Sequence, residues 1–109
     1  MDAKDVSMRD LLQDAGGRGV QYLEGLESRS VAPTSAALER LTALDGPLPD
    51  HPSDPTEVIA LLDEIGSPAT MATASPRFFG FVVGDALPVT LAANWLAGAW
   101  DQNAPLLSI

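Results

Sequence analysis

The stretch Pro88-Val89-Thr90-Leu91-Ala92-Ala93-Asn94-Trp95-Leu96-Ala97-Gly98-Ala99-Trp100 decides how the chain must be read. It holds no charge, and its apolar residues occupy every side of a helical wheel. Ala92, Ala93, Ala97, Gly98 and Ala99 are its small residues, and Trp95 and Trp100 its large ones. A helix of this kind needs protein around most of its circumference. The uncharged run from Ala86 to Trp100 has 15 residues, short of the ~20 that span a bilayer. The expected cover is therefore protein, with Trp95 and Trp100 as core or interface anchors.

Upstream lies Arg77-Phe78-Phe79-Gly80-Phe81-Val82-Val83-Gly84. This is a second apolar block, expected to be a short strand-like segment near 78–83, although periodicity over so few residues does not separate a strand from an irregular run. Phe78 and Phe79 are expected to pack in a core or interface, and Gly80 and Gly84 admit close backbone approach. Residues 67–76, SPATMATASP, are small and uncharged and read as a loop. Before them, Asp54-Pro55-Thr56-Glu57 is a helix start. Asp54 caps, Pro55 suits the first helical position and Glu57 sits where a capping-box acid would. Val58, Leu61, Leu62 and Ile65 follow as one stripe, stopped by Gly66 and Pro68.

The connector DGPLPDHPSDP, residues 45–55, holds four prolines and is expected to be extended and stiff. A short helix precedes it, opened by Pro33-Thr34, with Ala37, Leu38, Leu41 and Leu44 on its apolar face and Gly46-Pro47 as its stop. The first helix is capped by Ser7 and repeats Leu11, Leu12, Ala15, Gly19, Tyr22, Leu23 and Leu26 at helical spacing. Gly16 and Gly17 weaken its middle by about 1 kcal/mol each and mark a bend or a close helix contact. The expected fold is mainly α, with about four helices and one strand-like segment. Two regions are expected: a helical arm over 1–66 containing the connector, and an apolar loop, strand and buried helix over 67–109.

Composition narrows the chemistry. The chain has 109 residues and a formal net charge of -9. The excess acid is spread through both halves, so no basic patch exists to steer nucleic acid or an anionic membrane. The absence of cysteine excludes a disulfide scaffold, a thiolate metal site and a cysteine nucleophile. Lys4 is the one lysine, in a charged N-terminal stretch, and His51 the one histidine, in the connector. Neither is placed for buried catalysis. Asp63-Glu64 reads as a solvated helix edge. The start Met1-Asp2-Ala3-Lys4-Asp5 lacks the basic region of a secretory signal, and the expected location is the cytoplasm.

A domain of this size buries only about 60–70% of its extended surface. The phenylalanine cluster, both tryptophans and an all-apolar helix demand more cover than three amphipathic helices supply. Residues 67–109 are therefore expected to pack against a partner subunit or a larger domain. The apolar ending Leu106-Leu107-Ser108-Ile109 reads as an interruption within a longer protein.

Several of these segments together resemble a known family. They are Ser75-Pro76-Arg77-Phe78-Phe79-Gly80-Phe81, Gly84-Asp85-Ala86-Leu87-Pro88, Trp95-Leu96-Ala97 and Trp100-Asp101-Gln102-Asn103. With Tyr22-Leu23, Gly46-Pro47-Leu48-Pro49 and Leu61-Leu62-Asp63-Glu64-Ile65 they resemble the N-terminal region of the group II pyridoxal-phosphate-dependent amino-acid decarboxylases. The resemblance covers nearly all of this chain but only about the first quarter of such an enzyme. It implies the helical arm of an aminotransferase-type enzyme whose large α/β cofactor domain, with its Schiff-base lysine, lies elsewhere. The implied reaction is loss of CO2 from an amino acid, with the cofactor pyridoxal 5'-phosphate as electron sink.

By that resemblance, the region 1–66 is a dimerisation arm and 67–109 leads into the cofactor domain. Phe81, Val82, Val83 and Gly84 line the substrate pocket of the complete enzyme, and Asn103 lies near its dimer-contributed edge. Phe78, Phe79, Trp95 and Trp100 serve interface and core. No catalytic, cofactor-binding or metal-binding residue is expected in this chain. The partners implied are a second subunit of a homodimer, or a separately encoded cofactor domain, and an amino-acid substrate. In the aromatic-amino-acid enzymes the four pocket positions hold Tyr, Phe, Pro and Thr. This chain differs at all four, which leaves the amino acid open. The alternative is a small helical interaction or accessory module derived from such an arm.

Overall fold

A computed structural model of the chain describes residues 6–73 and 88–102. The chain divides into two compact units, Met1–Phe79 and Gly80–Ile109.

The first unit begins with helix α1, Met8–Glu24. Ser7 caps it: its hydroxyl accepts from the Asp10 N–H at 3.1 Å, and Asp10 adds a carboxylate in the first turn. The helix runs unbroken through Gly16 and Gly17. Leu11, Ala15, Arg18, Gly19 and Tyr22 form its half-buried stripe, while Leu12 and Leu23 of the expected apolar set are exposed. Gly25 closes α1 by donating to the carbonyls of Gln21 and Tyr22, and a 3₁₀ turn, Leu26–Ser28, carries Leu26 into the core.

Helix α2, Ser35–Glu39, is capped by Thr34, which accepts from the Ala37 N–H at 3.1 Å. It tightens into a 3₁₀ segment, Arg40–Leu44. Gly46 follows at φ +157, a backbone region open essentially to glycine alone. The connector is exposed, with Leu48 91% accessible. Helix α3, Pro55–Leu61, starts as its sequence requires: Pro55 opens it and the Asp54 carboxylate accepts from the Thr56 N–H at 2.8 Å. It widens into a π turn, Leu62–Gly66, and then tightens into a 3₁₀ turn, Ser67–Ala69.

The core of this unit is small: Leu26, Ala37, Ile65 and Ala72. Of the stripe expected on the third helix, only Ile65 is enclosed; Val58, Leu61 and Leu62 stay exposed. The same holds for the second helix, where Ala37 is buried and Leu38, Leu41 and Leu44 are not. The physical reason is thin cover. Short helices meeting along single lines bury one residue per contact, and the rest of each apolar face stays wet.

In the second unit, α4 spans Pro88–Trp100. It ends at Asp101, whose N–H donates to the Ala97 carbonyl and whose φ of +54 lies in the left-handed region that aspartate tolerates. No residue of α4 is buried. Its two tryptophans are exposed, Trp95 at 53% and Trp100 at 64%.

The fold class needs one correction. The described residues are helical throughout their regular structure, with four α-helices and no β-strand among them. The mixed reading with a strand-like segment is replaced by an all-α one. The apolar run 78–83 that prompted it lies outside the described residues. Its length and alternation carry no period able to specify a strand.

Candidate functional site

The polar groups of the first unit converge where α1 meets the 62–72 segment. Arg18 projects from the half-buried stripe of α1 between two carboxylates. Its Nε donates to Asp14 Oδ2 at 3.0 Å, one helical turn back, and its Nη1 donates to Asp63 Oδ2 at 3.0 Å across the interface. Asp63 is completed by the Ser67 hydroxyl, which donates to Oδ1 at 2.6 Å. That hydroxyl, and then Arg18, hold the Asp63 carboxyl below the usual carboxylate range against the opposing effect of burial. Asp14 and Asp63 in turn hold Arg18 in its charged form. Asp63, expected on a solvated edge, instead ties α3 to α1; Glu64 beside it is exposed.

One helical turn beyond Arg18, Tyr22 reaches Thr70, with 2.8 Å between the two hydroxyl oxygens. Thr70 Oγ1 has a single proton, and it donates this to the Ser67 carbonyl at 2.8 Å. Tyr22 is then the donor to Thr70. Arg29 closes the cluster. Its Nε donates to the Ser30 carbonyl at 3.1 Å, and its Nη1 to the Ser67 carbonyl at 3.1 Å and to Thr70 Oγ1 at 3.3 Å. Its Nη2 donates to the Thr70 carbonyl. The guanidinium carbon lies 5.9 Å from the centre of the Tyr22 ring, within cation–π range. A backbone bond from the Ala72 N–H to the Val31 carbonyl, 2.8 Å, fastens the end of the segment.

Two open spaces flank this polar seam. A groove of about 580 Å3 runs between α1 and α3, with Ala15, Gly19, Tyr22, Ile59, Leu62 and Thr70 among its walls. Ala15 and Gly19 are the small residues of α1 along it, whereas nothing lies within 4 Å of a Cβ built at Gly17, one of the two glycines expected to mark a bend or a close helix contact. A pocket of about 340 Å3 lies on the other side of Tyr22, bounded by Arg29, Pro33, Ala37 and Pro68.

Of the site residues singled out by the family resemblance, only Trp95 and Trp100 fall among the described residues. Phe78, Phe79, Phe81, Val82, Val83, Gly84 and Asn103 lie outside the described residues. Trp95 and Trp100 stand exposed on α4. The Arg29–Tyr22–Thr70 cluster was not anticipated. The sequence held one faint signal for it, an arginine directly after a helical stripe in a chain poor in bases. Three of the four oxygens it binds belong to a segment about forty residues away, and no local pattern records that.

The described residues do not fit pyridoxal phosphate. That group needs a lysine for its aldehyde, a carboxylate at its ring nitrogen and a cradle for its phosphate. Lys4 lies outside the described residues, His51 is exposed in the connector and Asp101 is exposed at the end of α4. Arg18 is taken by two carboxylates, and Arg29 is the single base lining its pocket, which is too little to cradle a dianionic phosphate. No group of three or more metal-ligating side chains occurs among the described residues, and no described helix is long and apolar enough to cross a membrane. Comparison with protein-family models, with curated proteins and with solved structures gave no match for this chain.

Proposed function

We propose that this chain is the N-terminal arm of a pyridoxal-phosphate-dependent amino-acid decarboxylase. It supplies dimer surface and substrate-pocket wall to a cofactor domain carried elsewhere, and it is catalytically incomplete alone. One observation carries this reading. The segment bearing Trp95-Leu96-Ala97 and Trp100-Asp101-Gln102 forms a helix whose large apolar side chains are left open to solvent. Exposed tryptophans on an uncharged helix mark a surface made for burial against another body. The phenylalanine motif and the residues Phe81, Val82, Val83, Gly84 and Asn103 supply the pocket wall in this reading.

The test is co-expression of the chain with an armless cofactor domain from an enzyme of this class. Stable association, amino-acid-dependent CO2 release, and loss of both on W95S/W100S are the expected results. A complex that forms equally well with the double variant overturns the reading. So does a visible cofactor band acquired by the purified chain alone and lost in K4A. A second reading, a small helical interaction module derived from such an arm, is favoured by the self-contained lock of the first unit, where residues 18, 22 and 29 bind 63, 67 and 70. Stable folding of the chain without any cofactor domain, together with capture of a partner lacking the cofactor, distinguishes it.

A further inference from the structure

We propose that the pocket beside Arg29 binds a small monocarboxylate with an apolar body. This goes beyond the arm reading and does not rest on it. Arg29 is half-buried, yet the four partners of its guanidinium are neutral oxygens: the carbonyls of Ser30, Ser67 and Thr70 and the Thr70 hydroxyl. Both ion pairs among the described residues belong to Arg18. In a chain with 15 carboxylate side chains and 6 bases, a half-buried arginine that no described carboxylate meets is available to an anion. Five N–H groups make up the fork. Four are used, and one on Nη2 has no partner among the described residues.

The space next to it sets the ligand class. The pocket measures about 340 Å3, at the small end for small-molecule sites. Its walls include the Tyr22 ring, Gly25, Pro33, Ala37 and Pro68, which favour an apolar body. One cation matches one negative charge. The net charge of -9 opposes a dianion more strongly than a monoanion, which selects carboxylate over phosphate. A carboxylate on Arg29 makes charge-assisted bonds roughly twice as strong as those to neutral oxygens. Binding is therefore felt at Tyr22 and Thr70, which share the same cluster.

Tyr22 is the only tyrosine of the chain, so incorporation of 3-fluorotyrosine gives a single fluorine resonance in the pocket wall. The full chain is titrated at constant ionic strength with benzoate, with its neutral isostere benzamide and with inorganic phosphate. The expected result is a saturable shift with benzoate, affinity about tenfold weaker for benzamide, as loss of a charged hydrogen bond requires, and no saturation with phosphate. R29K, which keeps the charge and loses the planar fork, is expected to weaken benzoate about tenfold. Equal response to benzoate and benzamide, or no saturable response to either, overturns the proposal and leaves Arg29 a structural clamp. Phosphate binding as tight as benzoate overturns the monocarboxylate assignment. The benzoate–benzamide comparison on the unaltered chain decides the matter even where R29K fails to fold.

Discussion

Replacing Ile65 by alanine tests whether the first unit has the core described for it. Ile65 is 6% exposed, whereas Leu62, one turn earlier in the same segment, is 56% exposed. Truncation to alanine removes three carbon groups from either side chain. At about 0.8 kcal/mol for each buried group, the transfer cost at Ile65 is about 2.4 kcal/mol. A cavity contribution is added, kept small because the thin surrounding shell can close around the site. The expected loss is about 3 kcal/mol for I65A, and under about 1 kcal/mol for L62A, whose side chain is already half in water. Both tryptophans lie on α4 and the single tyrosine on α1. Urea unfolding followed by the tyrosine signal therefore reads the first unit separately. The I65A midpoint should fall with the slope unchanged. Equal losses in the two variants would refute the reasoning, since they differ in burial and hardly at all in chemistry.

Three further outcomes follow from named contacts. D54A removes the cap on α3 and should cost about 1 kcal/mol by thermal melting, whereas D50A in the exposed connector should cost nearly nothing. Asp63 binds its proton less readily in the folded chain than in the unfolded one. Its contribution to stability is therefore present above the ordinary carboxylate range and lost as pH falls through its depressed value. The stability advantage of the native chain over D63N should be seen in melts near neutral pH and shrink in acid; an advantage that grows in acid would contradict this. Finally, W95S/W100S should reduce self-association of the isolated chain in sedimentation velocity. An unchanged profile would show that the exposed face of α4 does not drive it.

Helix starts were legible wherever one short motif held the whole cause. Ser7, Thr34 and Asp54 each satisfy N–H groups within three residues, so their caps could be read from the chain alone. The connector was legible because proline restricts its own backbone and that of the preceding residue. Burial was not. Leu62 and Ile65 share one stripe and are equally greasy, yet one is wet and the other enclosed. Amphipathic spacing states which face can be covered, and only the neighbouring elements determine how far the cover reaches.

The polar seam was less legible still. Arg18, Tyr22 and Arg29 lie within a dozen residues of one another, but their partners Asp63, Ser67 and Thr70 come from about forty residues later. Their pairing depends on how α1 and α3 approach. Local hydrogen bonding and backbone restriction are properties of adjacent residues, and they are written along the chain. Enclosure, and the choice of which charge meets which oxygen, are properties of surfaces brought together in space, and they exist only once the helices have packed.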